Sequence, residues 1–405
     1  MEYFVYVFMF ITLYFQIFLL VSFFEKKEKK DTTKKYSLLS TTIIVPCYNE
    51  EKTVQRTIES LIALNYPADK LSILVIDDGS TDGTWKAIQE YIHYPNVTAM
   101  QKENEGSKFA ALNFALNHVE TDLVGVLDAD SWVDSEALIR YMEFFDDDEV
   151  QATIPSMVIA EPDSFLRKAQ KAEYDIGLFA RKSFAKLNAI YITPGPFSVF
   201  RKSVFDTLGP YQEAHHTEDA EIALRMQKYG YKIAYSDKSV VYTVGPKKLR
   251  PLVKQRVRWI YGFLRNMFDY RELLFKRKYR SLGMIVLPIG IFRVFITVIL
   301  FPLSMWLIIL PLWRWFEKIA IVGWNPQFSW GIDWFFVNVN QIQIFTIIGL
   351  LFSIMTIWIG RELIGDKRKF TIDIFYMFFM YTFIAPLWLI KSSFNAVVGN
   401  KESWR

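Results

Sequence analysis

Leu71-Ser-Ile-Leu-Val-Ile76 runs directly into Asp77-Asp-Gly-Ser80, and this junction decides the fold. A short, nearly unbroken apolar run closed by turn residues describes a strand buried on both faces, as in a parallel sheet. Upstream, the β-branched run Thr41-Thr-Ile-Ile-Val45 ends at Pro46 and leads into a helical stretch from Glu51 to Leu64. Helical patterns at 82–93 and 107–118 alternate with strands near Val97–Gln101 and Leu123–Leu127. Strands alternating with helices of this length imply βαβ units and a mostly parallel sheet. Ligands of such sheets bind beyond the carboxyl ends of the strands.

The polar clusters fall at those ends. Pro46-Cys-Tyr-Asn-Glu50 follows the first strand, Asp77-Asp78-Gly79-Ser80 the second, and Asp128-Ala-Asp130 a strand that begins near Leu123. Hard oxygen donors in such pairs suit Mg2+ or Mn2+, which bridge to phosphate oxygens. No Gly-x-Gly-x-x-Gly or Walker A pattern accompanies them, so dinucleotide and P-loop chemistry lack support. His216-Thr-Glu-Asp219 opens a helical run ending at Gly230; it reads either as an acidic helix start or as the carrier of a carboxylate base. His215 and His216 are adjacent, which is not metal-ligand spacing on a helix. Gln255-Arg-Val-Arg258-Trp259 lies in a basic helix after Pro251, suited either to anionic lipid or to a pyrophosphate with a stacked sugar.

Of 405 residues, 52% are apolar, 17% aromatic and 22% charged. The composition excludes a disordered chain. The single Cys excludes an intramolecular disulfide scaffold and fits a reducing compartment. The charged fraction excludes a wholly lipid-buried bundle, and a net charge of +4 gives no argument for nucleic acid. The average conceals a division. Tyr3 to Phe24 carries no charge and is long enough to cross a hydrocarbon core of about 30 Å. Lys26, Lys27, Lys29, Lys30, Lys34 and Lys35 follow, so the positive-inside rule predicts an uncleaved signal anchor with the N-terminus outside and everything after Lys26 in the cytosol. Gly283 to Leu312, with Arg293 its one charge, predicts an interfacial segment leading into a span. Gln341–Gly360 and Ile374–Ile390 predict two more, the last interrupted by Pro386. The tryptophan-rich linker from Trp313 to Asn340 suits an outer aromatic belt, and Arg361–Lys369 suits the cytosolic side. Strict alternation puts the C-terminus outside; a re-entrant last segment returns it to the cytosol. An amphipathic helix from Phe165 to Leu187, rich in Lys and Arg, is expected to lie flat on the cytosolic face. The expected domains are an anchor at 1–25, a soluble α/β domain at 36–275 and a membrane region at 283–398.

Taken in order, Pro46-Cys-Tyr-Asn-Glu50, Asp77-Asp-Gly-Ser80, Asp128-Ala-Asp130, Thr217-Glu-Asp219 and Gln255-Arg-Val-Arg258-Trp259 resemble the membrane-embedded family 2 glycosyltransferases: cellulose, hyaluronan, chitin and poly-N-acetylglucosamine synthases. The resemblance implies a GT-A (Rossmann-like) α/β domain with transmembrane and interface helices, and an inverting hexosyltransferase fed by a UDP-sugar. Glu50, Asp77 and Asp78 would sit near the uridine. Asp128 and Asp130 would hold the diphosphate through Mn2+ or Mg2+, with Asp130 as direct metal ligand. Asp219 would deprotonate the acceptor hydroxyl. Gln255 and Arg258 would contact the pyrophosphate, and Glu218 and Trp259 would serve the acceptor. Asn104-Glu-Gly-Ser-Lys-Phe-Ala-Ala-Leu-Asn113 resembles an element that brings Lys108 to the phosphates, with a Ser inserted after Gly106. Thr193-Pro-Gly-Pro-Phe-Ser-Val-Phe-Arg201 resembles the acceptor-side segment, with Pro194-Gly195-Pro196 replacing its usual start. The implied partners are the donor, a polysaccharide or lipid acceptor, membrane lipids and an accessory membrane subunit. The implied location is the plasma membrane, multi-pass, with the growing β-linked polymer passing across it; the alternative is transfer of one sugar to a lipid carrier or glycolipid.

Overall fold

The computed structural model describes residues 2–25, 36–323, 341–368 and 370–399. The basic residues between Lys26 and Lys35, Lys369 and the linker from 324 to 340 lie outside them. The strands are β1 (Thr41–Cys47), β2 (Leu71–Asp77), β3 (Val97–Gln101), β4 (Leu123–Val126), β5 (Ser131–Val133), β6 (Val150–Ile159), β7 (Ser198–Arg201) and β8 (Lys232–Thr243). The helices of the catalytic half are α1 (Glu2–Phe24), α2 (Val54–Ile62), α3 (Thr84–Gln89), α4 (Lys108–Leu116), α5 (Ile139–Phe145), α6 (Phe165–Lys186), α7 (Ser203–Leu208), α8 (Glu218–Lys228) and α9 (Leu249–Asp269). Four more follow: α10 (Leu287–Val322), α11 (Gln341–Leu363), α12 (Ile372–Phe383) and α13 (Ala385–Val398).

The strands form one sheet in the order β3-β2-β1-β4-β7-β6-β8-β5. β3, β2, β1 and β4 are parallel, as the alternating pattern predicts. β7 runs antiparallel to both β4 and β6, and β5 antiparallel to β8. This second half is mixed because its partners are distant in sequence and no periodicity announces them. Successive residues of β1 serve opposite faces. Ile43, Val45 and Cys47 pack with α2, α3 and α5, whereas Ile44 packs with α4, α7 and α8. The result is a three-layer α/β/α sandwich. Cys47 is buried in the first of these layers, where desolvation pushes its thiol well up, so it is an inert core residue.

Among the described residues, three helices are long and apolar enough to cross a membrane: Tyr6–Phe24, Leu282–Leu303 and Gln343–Leu363. α12 and α13 together make a fourth such segment, bent by 41° where Pro386 opens the second helix. The separate interfacial segment expected after Gly283 is instead a single wide turn, Leu282–Val286, continuous with the 36-residue α10.

The helix expected to lie flat on the cytosolic face is α6, and the apolar helices grip it along its length: Phe179 packs on Phe15 and Leu19 of α1, Ala172 on Ile357 of α11 and on Ile374 and Met377 of α12, and Leu166 and Ala169 on Met380, Ala385 and Trp388. Lys171 and Asp175 are buried. Asp175 accepts from Arg361 Nε at 2.8 Å and pairs with Lys171 at 3.1 Å. Arg361, 1% exposed, also donates to Asp373 at 2.5 Å and to Thr371 Oγ1 at 2.8 Å. Lys171 reaches Asp366 at 3.3 Å, which Arg368 pairs at 2.7 Å. Gly360 lets α11 approach this closely, since a Cβ there would run into the Asp175 carbonyl. Asp175→Asn leaves Arg361 short of a buried counter-charge, for which we expect a loss of about 3–5 kcal/mol, read as a lowered unfolding temperature of the detergent-solubilised protein.

Candidate active site

The strand ends are stitched together before any ligand is considered. Asn49, in the left-handed region at φ 56°, turns the chain after β1, and its side chain accepts from Thr81 N at 2.8 Å. Its own N–H donates to Ser80 Oγ at 2.9 Å, and Glu50 N donates to Thr84 Oγ1 at 2.7 Å. The first two motifs therefore form one surface. Asp77 is fully buried and accepts from Ser80 N (3.1 Å) and Gln101 Nε2 (2.8 Å), so its carboxylate closes the turn from within. Asp78 is buried as well. Its Oδ1 takes Lys102 at 2.9 Å while Oδ2 has no hydrogen-bond partner among the described residues, and burial pushes its carboxyl above the usual carboxylate range.

A second group surrounds Lys108, the first residue of α4. Ser107 takes the position before the helix, so the inserted serine sets the helix start and leaves Lys108 aimed at the sheet. Its ammonium pairs with Asp128 and lies 3.5 Å from Glu218. Burial opposes the charge, but Asp128 and Glu218 outweigh it and hold the lysine firmly protonated. Asp130 accepts from Ser131 Oγ at 3.0 Å. Its carboxyl is raised to about 7, first by desolvation and then by Asp128 and Glu50. Glu50 in turn accepts from Thr53 Oγ1 at 2.7 Å.

Glu218 and Asp219 open α8, where carboxylates meet the positive helix end. The turn before them is strained: Ala214, His215 and His216 all have positive φ, at 40°, 55° and 63°. Thr217 holds it by donating to the Ala214 carbonyl at 2.9 Å, and His215 Nε2 meets Asp269 at 2.7 Å. Asp219 Oδ1 accepts only the neighbouring Ala220 N–H at 2.9 Å, while its carbonyl receives both Thr193 N (3.0 Å) and Thr193 Oγ1 (2.8 Å). Desolvation, then Glu218, raise the Asp219 carboxyl to about 7, against the pull of Lys108. That value suits a base working near neutrality. A cavity of about 450 Å³ behind the turn, lined by His215, Glu221, Asn266 and Asp269, contains none of these cluster residues.

α9 closes the site. Gln255, Arg258, Trp259, Gly262 and Asn266 share one face by their three- and four-residue spacing. Gly262 lies flush against Thr217, and Asn266 Nδ2 donates to Thr217 Oγ1 at 2.9 Å. The face that carries Gln255 and Arg258 thus abuts the turn presenting Asp219. Among the described residues, the Gln255 and Arg258 side chains have no hydrogen-bonding or ionic partner.

Residues 42–209 match the family profile described as glycosyl transferase family 2. The chain carries a family 2 glycosyltransferase domain. It is 31% identical over 248 residues to the poly-β-1,6-N-acetyl-D-glucosamine synthase of Staphylococcus aureus (strain COL), a match covering 60% of each chain. With the enzyme of the same name from Staphylococcus epidermidis it shares 32% over 222 residues, 54% of this chain and 53% of that one. The chain thus spans about 60% of the length of these relatives or less. Among solved structures, a mannosyltransferase from Pyrobaculum calidifontis, in complex with GDP-Man and Mn2+, superposes with a TM-score of 0.65 over 96% of this chain and 95% of that one at 17% identity. The family 2 domain therefore has the GT-A-like, Rossmann-type α/β fold, accompanied by apolar helices able to span a membrane.

The transferase domain's donor set fits a divalent cation of a particular kind. Glu50, Asp128, Asp130, Glu218 and Asp219 act on one another electrostatically with Lys108 as the cation among them. Such an excess of carboxylate favours a cation. No group of three or more His, Cys, Asp or Glu ligands is gathered among the described residues. A hard divalent cation such as Mg2+ or Mn2+ takes oxygen donors of this kind together with phosphate oxygens and water.

Sequence reasoning passed over two parts of the domain's site. Gly195 is one: a Cβ there would lie 2.5 Å from Lys108 Nζ and 2.9 Å from both Asp128 oxygens. The Pro194-Gly195-Pro196 departure is therefore the seal over the Lys108–Asp128 pair, brought there because β7 runs antiparallel to β4. Arg256 is the other. It is buried, pairs with Glu173 of α6 at 2.7 Å and stacks 4.4 Å over the Trp259 ring. The basic character of α9 could have flagged it; its partner lies too far away in sequence. For Gly195→Ala we expect the Lys108–Asp128 pair to be pushed apart at a cost of about 1–3 kcal/mol, seen as a lowered melting temperature with the helical signal intact.

Proposed function

We propose that this protein is an inverting hexosyltransferase that moves sugar from a UDP-sugar onto a growing β-linked polysaccharide, processively and with passage of the product across the membrane. The observation that carries the reading is the convergence of Glu50, Asp128, Asp130, Lys108 and Asp219 at the strand ends, facing the helix of Gln255, Arg258 and Trp259. The names of the staphylococcal relatives support N-acetylglucosamine as the sugar. Asp78, with its free buried oxygen, and Asp77, which shapes the turn, would form the uridine side with Glu50. Asp130 and Asp128 would hold Mn2+ or Mg2+, which supplies charge neutralisation for a diphosphate leaving group. Gln255, Arg258 and Lys108 would add fixed positive and hydrogen-bonding groups around that diphosphate, a preorganised electrostatic site. Asp219 would take the acceptor hydroxyl's proton as that oxygen attacks from the face opposite the diphosphate, giving inversion. Glu218 and Trp259 would line the acceptor. The basic run after α1 and the apolar helices support a multi-pass plasma-membrane protein with its catalytic domain in the cytosol, organised as 1–25, 36–275 and 283–398 and in contact with lipid and an accessory subunit.

The test is a donor panel of UDP-GlcNAc, UDP-Glc, UDP-GlcA and GDP-Man on purified membranes, with product length and linkage analysis. Polymer from one UDP-sugar is the expected outcome; a single-sugar lipid as sole product would replace the polymer by the lipid-carrier reading. Asp219→Asn should abolish transfer, by about 100-fold or more, while nucleotide binding stays within about twofold. Because Asp219 is active as the carboxylate and its value is raised to about 7, kcat/KM of the wild type should fall about tenfold per pH unit below 7 and level off above it. A flat profile between pH 5 and 8 would remove Asp219 as the base.

A further inference from the structure

α6 carries ionic groups on two opposite sides. Lys171 and Asp175, four residues apart, share the side locked to Arg361, Asp366 and Asp373. Glu173 lies about 200° from Lys171 around the helix, on the other side. There its Oε2 accepts from Arg256 Nη2 at 2.7 Å. Arg256 is 5% exposed, its Nε has no hydrogen-bond partner among the described residues, and its guanidinium carbon lies 4.4 Å from the centre of the Trp259 ring. Such a buried guanidinium has few other places to rest: Glu173 is its ionic partner among the described residues, and the indole face is its other support. The phenol of Tyr174, next along α6, is close enough to feel Arg256, Glu173, Arg181 and Asp130. This part of α6 therefore lies near Asp130, and α12 reaches the same side, where Tyr381 hydrogen-bonds Glu173.

We infer that Glu173 is a positioning residue for the acceptor side of the reaction. Through Arg256 it fixes the plane of Trp259, and α6 ties that plane to the ends of α11 and α12. Glu173 touches no reacting atom. Its carboxylate orients a guanidinium, and the guanidinium orients the indole on which the acceptor sugar rests. This inference rests on Trp259 lining the acceptor. A planar, always-charged arginine is needed at 256, because an ammonium would keep the ion pair with Glu173 but lose the stack over the ring.

The experiment uses the full chain in lipid nanodiscs, with UDP-GlcNAc as donor and a short β-linked N-acetylglucosamine oligomer as acceptor. Donor KM, acceptor KM, acceptor-free UDP release and melting temperature are measured for Trp259→Ala, Glu173→Gln, Arg256→Lys and the double variant Glu173→Gln/Arg256→Lys. All three single variants should raise acceptor KM about tenfold, and in Glu173→Gln donor KM and UDP release stay within about twofold. The double variant should be no worse than Arg256→Lys alone, because both changes break one chain of contacts. If Trp259→Ala leaves acceptor KM unchanged, the acceptor reading of Trp259 is wrong. If Trp259→Ala raises it but Glu173→Gln and Arg256→Lys do not, the positioning role is overturned. Equal loss of transfer and UDP release with a lowered melting temperature would also overturn it, leaving Glu173 purely structural. Should Glu173→Gln fail to fold, Arg256→Lys, which keeps a cation opposite Glu173, decides between these outcomes.

Discussion

A largely buried network of three cations and three carboxylates, with Arg368 at its exposed rim, joins α6 to the apolar helices. Arg361, Lys171 and Arg368 balance Asp175, Asp373 and Asp366, and each of the six is paired within it. Charges removed from water are tolerated only when matched and hydrogen-bonded. The network is therefore neutral only with α6, α11 and the start of α12 docked together. Apolar packing around Ala172, Phe179 and Leu166 brings these helices close, but it is non-directional and would tolerate sliding. The ion pairs set the register that the packing leaves open.

The catalytic end of the sheet has the opposite electrostatic design. There, carboxylates outnumber their one close lysine, and Asp130 and Asp219 are both raised to about 7. A site arranged for folding alone would pair these groups, as the membrane-side network does. The contrast between a balanced cluster and an unbalanced one distinguishes a structural joint from a candidate functional site.

Much of this was legible in the sequence, for identifiable reasons. Strands β1, β2 and β4 announce themselves because burial on both faces demands continuous apolar runs, and the acidic clusters follow because turns at their ends need Asp, Asn and Gly. Lys108, Asp128, Asp130, Glu218 and Asp219 do come together in space. The antiparallel placement of β7 was not legible, since strand pairing over long separations leaves no local periodicity. For the same reason Gly195 looked like a deviation until the sheet put it against Lys108. The packing of α6 was not legible, because a stripe of apolar residues with lysines beside it has the same pattern whether the lysines meet water or buried aspartates. Arg256 was hidden by its neighbours in a basic helix, and only its distant partner Glu173 sets it apart.

The grip on α6 bears on how the catalytic unit can be handled. Cutting the chain after residue 275 would keep the whole sheet, yet it would strip Asp175 of Arg361 and leave the face of Ala172, Ala169 and Leu166 bare. Such a fragment would carry the Lys171–Asp175 pair without its Arg361 and Asp366 partners beside a sticky apolar stripe, on the very helix that supports Arg256. The soluble half is thus no more an independent module than an arch is without its second pier.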